Sequence, residues 1–143
     1  MTQTLTRIHD PVRGKAYFED KLAFTTGPVE LSHMIKTGDE ILVVDVRDEE
    51  DYAKGHIPGA INLPRGRWED PTGLSKERTN ILYCYTQTCH LAANAALAFA
   101  SKGFPVMEME GGFEGWKKAD LDVEREDVNR LKRAADRLIH RKH

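Results

Sequence analysis

The chain has 143 residues, enough for one domain with a helical appendage, and such a length buries roughly 68–70% of its unfolded surface without disulfides or metal. Apolar residues make up 40% and charged residues 31%, which excludes collagen, low-complexity disorder and a membrane span. The 21 Lys and Arg against 23 Asp and Glu leave a net charge of −2, so nothing in the overall charge draws the chain to nucleic acid or to an anionic membrane.

Residues 1–27 read as an N-terminal extension. Its first ten residues lack the apolar core of a signal peptide. Ala16, Tyr17, Phe18 and Leu22 make one apolar stripe on a short helix from about Gly14 to Ala23, and Phe24-Thr25-Thr26 suits a short strand. Val29 to Lys36 reads as a helix stopped by Gly38. Ile41 to Val46 is a continuous apolar run without period 2, as a strand buried on both faces of a parallel sheet requires. A short polar helix from Asp48 to Lys54 follows, closed by Gly55. Ala60 to Leu63 and Asn80 to Cys84 are further strands, separated by a polar loop holding Pro64 and Pro71. Leu91 to Lys102 is an alanine-rich helix, and Val106 to Met109 the next strand. This alternation predicts an α/β fold, a central parallel sheet of about five strands with helices on both faces. Residues 121–143 are assigned to a C-terminal amphipathic helix, with Val128, Leu131, Ala135 and Leu138 at 3-4-3 spacing between Asp122 and Arg141. That stripe either docks on its own domain or forms the seam of a homodimer.

In parallel sheets ligands bind beyond the carboxyl ends of the strands, and Cys84 stands at one such end. A buried strand delivers it into the polar loop Tyr85-Thr86-Gln87-Thr88-Cys89-His90, which runs straight into a helix. Unsatisfied amides at a helix start, with the helix dipole, should favour a thiolate and lower the Cys84 pKa from about 8.5. The two cysteines sit close together in one segment, not dispersed as in a secreted disulfide scaffold, which predicts thiol chemistry in a reducing cytoplasm.

The stretch from Val44 to Pro64 contains Asp45-Val46-Arg47, Glu49 to Tyr52, and Gly55-His56-Ile57-Pro58-Gly59-Ala60-Ile61-Asn62. It closely resembles the signature of the rhodanese-like domains, and Gly111-Gly112-Phe113-Glu114-Gly115-Trp116 resembles that family's closing G-G-x-x-x-W. The resemblance covers about Pro28 to Asp120, giving a rhodanese-like domain over residues 28–120. It implies sulfur transfer without a cofactor. Cys84 would take a sulfane sulfur from a small donor, thiosulfate or a persulfide, and hand it to a thiol or a protein acceptor. Asp45 ends a buried strand, so its carboxylate needs a partner, for which Arg47 two residues on is a candidate, and both would support the loop. His56 is read as hydrogen-bonding its turn rather than as a base, Trp116 as a core aromatic, and Gly55 and Gly59 as supplying unusual backbone angles.

The loop departs from the family's C-x-x-G-x-R-S. Gln87 holds the glycine position, Cys89 the arginine position and His90 the serine position. Losing the arginine removes a fixed bidentate donor for a dianion. A charge-assisted bond contributes about 1.5–3 kcal/mol, so a deficit of roughly ten- to hundredfold on thiosulfate is expected. Cys89 leaves two readings open, a resolving thiol for Cys84 or an inert residue at the helix start. Cys84, Cys89 and His90 lack a fourth ligand, so no metal is expected. Phosphatases of this fold need an arginine at the loop's end, and none is present. A non-catalytic interaction or regulatory module is the remaining alternative. Arg65, Arg67 and Trp68 are candidates for the rim of the site.

Overall fold

Runs of β-branched and aliphatic residues without alternation make strands that are covered on both sides. In the computed structural model, which describes residue 7 and residues 9–126, those runs form the middle of one sheet. The elements are α1 (Pro11–Phe24), β1 (Thr25–Thr26), α2 (Pro28–Thr37), β2 (Ile41–Asp45), α3 (Glu49–Lys54), β3 (Ile61–Asn62), β4 (Thr79–Tyr83), α4 (Leu91–Ser101), β5 (Val106–Met109) and α5 (Gly112–Lys118). The five strands lie in the order β1-β5-β4-β2-β3, and every pairing is parallel. The α/β architecture expected from the sequence is therefore present, with β4 at its centre.

Successive side chains of a strand point to opposite faces, and this splits the core in two. Val43, Ile81 and Tyr83 pack with Leu31 of α2 and with Phe113 and Trp116 of α5. Val44, Leu82 and Cys84 pack on the other face with Ala92, Ala95 and Phe99 of α4. The alanines of α4 let that helix lie close over the sheet, which brings its first turn down onto Cys84.

Two stretches differ from the sequence reading. Helix α1 begins earlier than expected, at Pro11, because the Asp10 carboxylate caps the amides of Val12 and Arg13. Its strand β1 then pairs with β5, Thr25 opposite Glu108 and Thr26 opposite Met109, so the N-terminal segment contributes an edge of the sheet. Residues 121–126, assigned to the start of the C-terminal helix, are not helical. Their backbone is engaged elsewhere: His56 and Glu124 exchange two backbone hydrogen bonds of 2.9 Å, and the Trp116 indole donates to the Asp122 carbonyl at 2.8 Å. The rest of the predicted helix, with its proposed dimer seam, lies outside the described residues.

Candidate active site

Cys84 follows the last residue of β4, and the loop it opens closes into α4 at Leu91. The loop is held by its backbone. The Cys89 amide donates to the Thr86 carbonyl at 3.2 Å, folding the chain back on itself. From outside, the amides of Phe113 and Glu114 at the start of α5 donate to the carbonyls of Cys84 and Tyr85 at 2.8 and 3.0 Å. This approach requires Gly112. It sits at φ +63°, and a Cβ there would lie 2.6 Å from the Thr86 nitrogen and the Tyr85 carbonyl carbon. The G-G-x-x-x-W element is thus the clamp of the loop, with Trp116 buried behind it as expected.

The two sulfurs are the chemical centre. Cys84 is 3% exposed, Cys89 is half-buried, and both are free thiols. The Cys84 thiol donates to the Cys89 carbonyl oxygen at 3.5 Å, and the two side chains pack in one apolar cluster. The amides of Ala92, in the first turn of α4, and of Tyr85 act to lower the Cys84 pKa, the direction expected for a strand that runs through a loop into a helix. They do not dominate. Burial and the neighbouring sulfur push the Cys84 pKa up to about 11, correcting the expectation of a depressed value. Cys89 moves the other way. Burial opposes its charge, but the Cys84 thiol and the amides of Leu91, Tyr85 and Thr86 outweigh it and lower its pKa. The main-chain cradle foreseen for Cys84 therefore favours charge on its partner.

Both cysteines line a cavity of about 450 Å³, together with Thr86 and Gln87 of the loop. One wall comes from α1 and β1, through Tyr17, Asp20, Lys21, Phe24 and Thr25. The other comes from the end of β5 and the turn after it, through Glu108, Met109, Glu110 and Gly111. Burial and the charge of Glu110 raise the Glu108 pKa, an effect that His90 partly offsets. The sequence reading missed both walls. The rule that led to Cys84 also covered the carboxyl end of β5, but the contribution of α1 depends on where that helix folds back.

The remaining loop residues take different places. The Tyr85 hydroxyl donates to Asp51 at 2.7 Å and accepts the Asp48 amide at 3.2 Å, tying the loop to α3. Burial and that carboxylate raise its pKa to about 12. Thr88 is exposed, its hydroxyl 3.4 Å from that of Thr86. His90 is exposed at the start of α4.

Asp45 and Arg47 are not in the cavity wall. They form a buried pair at the end of β2, with Arg47 Nη2 2.7 Å from Asp45 Oδ2. Arg47 also donates to the Gly55 carbonyl at 2.6 Å, and Tyr83 donates to Asp45 at 2.7 Å while accepting the Ile57 amide at 3.0 Å. Burial works against the guanidinium, but the Asp45 bonds and charge, aided by Tyr83, raise its pKa above the ordinary value. This cluster joins β2, β4 and the Gly55–Gly59 turn, and the guanidinium lies 4.2 Å over the Phe113 ring next to the loop clamp. His56 belongs to the same turn. Its Nδ1 is 2.7 Å from the Tyr52 carbonyl, and its ring stacks on Tyr52 at 3.8 Å. In that turn Gly59 has φ +81°, whereas Gly55 is extended and is constrained by space, a Cβ there meeting Val123 and Phe113 at 3.1 and 3.4 Å. Arg65, Arg67 and Trp68 do not rim the site. Trp68 packs on Phe99 and donates to Leu63, Arg67 pairs with Glu49, and Arg65 lies over the Trp68 ring.

The family profile described as "Rhodanese-like domain" matches residues 27–119. This chain belongs to the rhodanese-like family. A protein of Bacillus halodurans, BH2092, has the same fold with a TM-score of 0.75 and 40% identity, over 81% of this chain and 87% of that one. The thiosulfate sulfurtransferase GlpE of Coxiella burnetii is 31% identical over 62% of this chain and 82% of its own. The HTH-type transcriptional regulator Rv0324 of Mycobacterium tuberculosis is 36% identical over 59% of this chain. This chain spans 38% of the length of Rv0324 and 24% of that of the probable adenylyltransferase/sulfurtransferase MoeZ of the same species. Rhodanese-like relatives thus include proteins named sulfurtransferases. Among the described residues no helix is long and apolar enough to cross a membrane.

Proposed function

We propose that this protein is a sulfurtransferase that carries sulfane sulfur as a persulfide on Cys84 and passes it to a thiol, with little use of thiosulfate. The observation that carries the reading is the position of Cys84 at the end of the central strand, under the first turn of α4, facing the cavity beside a second thiol. The lowered pKa of Cys89 and the raised one of Cys84 favour negative charge on Cys89 over Cys84. A proton shift from Cys84 to Cys89 then puts the charge on the nucleophile. The Cys84 thiolate attacks the outer sulfur of a donor persulfide, forming Cys84–S–SH and expelling the donor thiolate. Amides of Ala92 and Tyr85 steady the charge as it develops.

The cavity walls support this choice of donor and acceptor. Asp20, Glu108 and Glu110 face the cavity against one cation, Lys21, and Cys89 stands where thiosulfate-using relatives have an arginine. A dianion meets carboxylates there instead of a guanidinium fork. Tyr17 and Phe24 offer apolar surface, which suits a persulfide or thiol on a neutral or cationic organic body, small or part of a protein. Chemistry that runs on two free thiols and a thiol acceptor suits a reducing compartment, and the cytoplasm is the one this reading favours.

Intact-mass measurement after exposure to a low-molecular-weight persulfide tests the reading. Wild type should gain one sulfur atom or release it as sulfide, and Cys84→Ser should do neither. Equal behaviour of the two proteins refutes it. A thiosulfate:cyanide rate matching that of an arginine-containing rhodanese would refute the donor preference.

A further inference from the structure

We propose that Cys89 is a resolving thiol, making this site one that discharges persulfide sulfur as hydrogen sulfide and closes a Cys84–Cys89 disulfide. This rests on the carrier reading above and adds a second half-reaction to it. The loop places the two side chains for it. The hydrogen bond from the Cys89 amide to the Thr86 carbonyl folds residue 89 back over residue 84, and the Cys84 thiol donates to the Cys89 carbonyl at 3.5 Å. Cys89 packs against the same apolar cluster that holds Cys84, so the two side chains share one small volume. Both face the cavity through which a donor enters and a product leaves.

The chemistry balances without an outside oxidant. Once Cys84 carries a persulfide, the Cys89 sulfur attacks the inner sulfur, Sγ of Cys84. The Sγ–Sγ bond forms as the bond to the outer sulfur breaks. The outer sulfur leaves with the electron pair, takes up the Cys89 proton and departs as hydrogen sulfide. Counted from the two thiols and the sulfane sulfur that Cys84 accepts, that sulfur gains two electrons and each cysteine sulfur gives up one. Two equivalents of a small thiol then reopen the disulfide by exchange and become its oxidised dimer.

Attack on the outer sulfur, which would relay the persulfide to Cys89, fits less well. That displacement needs three sulfurs in line, with the end atoms at least two S–S bonds apart, about 4.1 Å. Side chains packed in one cluster at the same end of the sheet need only close on each other to form the disulfide. The lowered pKa of Cys89 supports its role as the attacking group.

The test treats the full chain with one equivalent of a small-molecule persulfide under anaerobic conditions, removes the donor, and then measures released sulfide and alkylatable thiols. Wild type should release close to one sulfide per chain and lose both alkylation sites, with a peptide map linking residues 84 and 89. Adding a small thiol should restore both sites. Cys89→Ser should lack the sulfide burst and accumulate the extra sulfur on Cys84. If that variant does not fold, the wild-type peptide map decides alone. A wild-type chain that keeps the sulfur on Cys84 and releases no sulfide overturns the inference and leaves the carrier reading standing. Persulfide mapped to Cys89 overturns it in favour of a relay. A chain that neither gains sulfur nor releases sulfide defeats both.

Discussion

At the carboxyl end of β2, the buried polar atoms of Asp45, Arg47 and Tyr83 find their partners in one another and in the Gly55–Gly59 turn. At the carboxyl end of β4, its neighbour in the sheet, the chain is held by its carbonyls and amides while its sulfurs turn to a cavity. The first arrangement satisfies charge inside the protein and leaves nothing to react. The second fixes position chiefly with the main chain, helped by the Tyr85 hydroxyl on α3, and leaves the two cysteines for chemistry. The contrast explains how a loop can exchange its glycine, arginine and serine for Gln87, Cys89 and His90 without losing the cradle. The amides that shape it belong to the backbone and to α5.

Breaking the first region should cost the most stability. Asp45→Asn removes the charge that offsets a buried guanidinium 4% exposed, and breaking such a pair costs about 3–5 kcal/mol. Urea unfolding should show that loss. Gln87→Ala, at an exposed position in the second region, should stay within about 0.5 kcal/mol. Comparable losses for the two variants would erase the distinction between scaffold and site.

Gly112→Ala probes the seam between the regions. Its methyl group would press on the backbone at Tyr85 and Thr86, and a non-glycine residue at φ +63° costs about 1–3 kcal/mol by itself. Sulfur loading should fall by a larger factor than stability accounts for, because the loop amides shift away from Cys84. Retained loading at wild-type rate in a folded Gly112→Ala protein would show that α5 does not set the cradle.

The unequal legibility of the two regions in the sequence has the same origin. Ile41 to Val46 and Asn80 to Cys84 announced central strands because burial on both faces demands unbroken apolar runs. Asp45 and Arg47 two positions apart announced an internal pair because a buried carboxylate needs a counter-charge. Cys84 was legible from the order of elements alone. Its protonation was not, since that depends on a neighbour five positions away that only the turn at Thr86–Cys89 brings into contact. The cavity walls were hidden for a similar reason. Tyr17 and Asp20 reach the site because β1 pairs with β5, and nothing local to α1 encodes that pairing. The extended course of residues 121–126 was obscured because the two backbone bonds to His56 take precedence over local helix propensity.

Thiol reactivity sharpens the contrast within the loop itself. A raised pKa keeps Cys84 protonated at neutral pH, and a lowered one leaves more of Cys89 ionised. Limited alkylation near neutral pH, followed by peptide mapping, should label Cys89 first. Labelling of Cys84 should climb as pH rises toward about 11. In Cys89→Ser the neighbouring sulfur that raises Cys84 is gone, so its labelling midpoint should move to lower pH. Preferential labelling of Cys84 at neutral pH would reverse the assignment of charge within the pair.

The smallest expected effect concerns the walls. Glu110 faces the cavity and helps raise the Glu108 pKa, so Glu110→Gln should ease both the repulsion of anionic donors and the protonation of Glu108. Removing one partly solvated charge changes an anion's binding by about 1 kcal/mol or less in water-like surroundings. The expected gain in thiosulfate kcat/KM is therefore a few-fold, with no matching gain for a persulfide on a neutral carrier. The gain should shrink as salt is added, because screening already weakens the repulsion in wild type. Equal gains on both donors would mean that the substitution acts on the loop rather than on the charge of the entrance. An absent gain at low salt would leave the missing arginine as the sole reason for a poor thiosulfate rate.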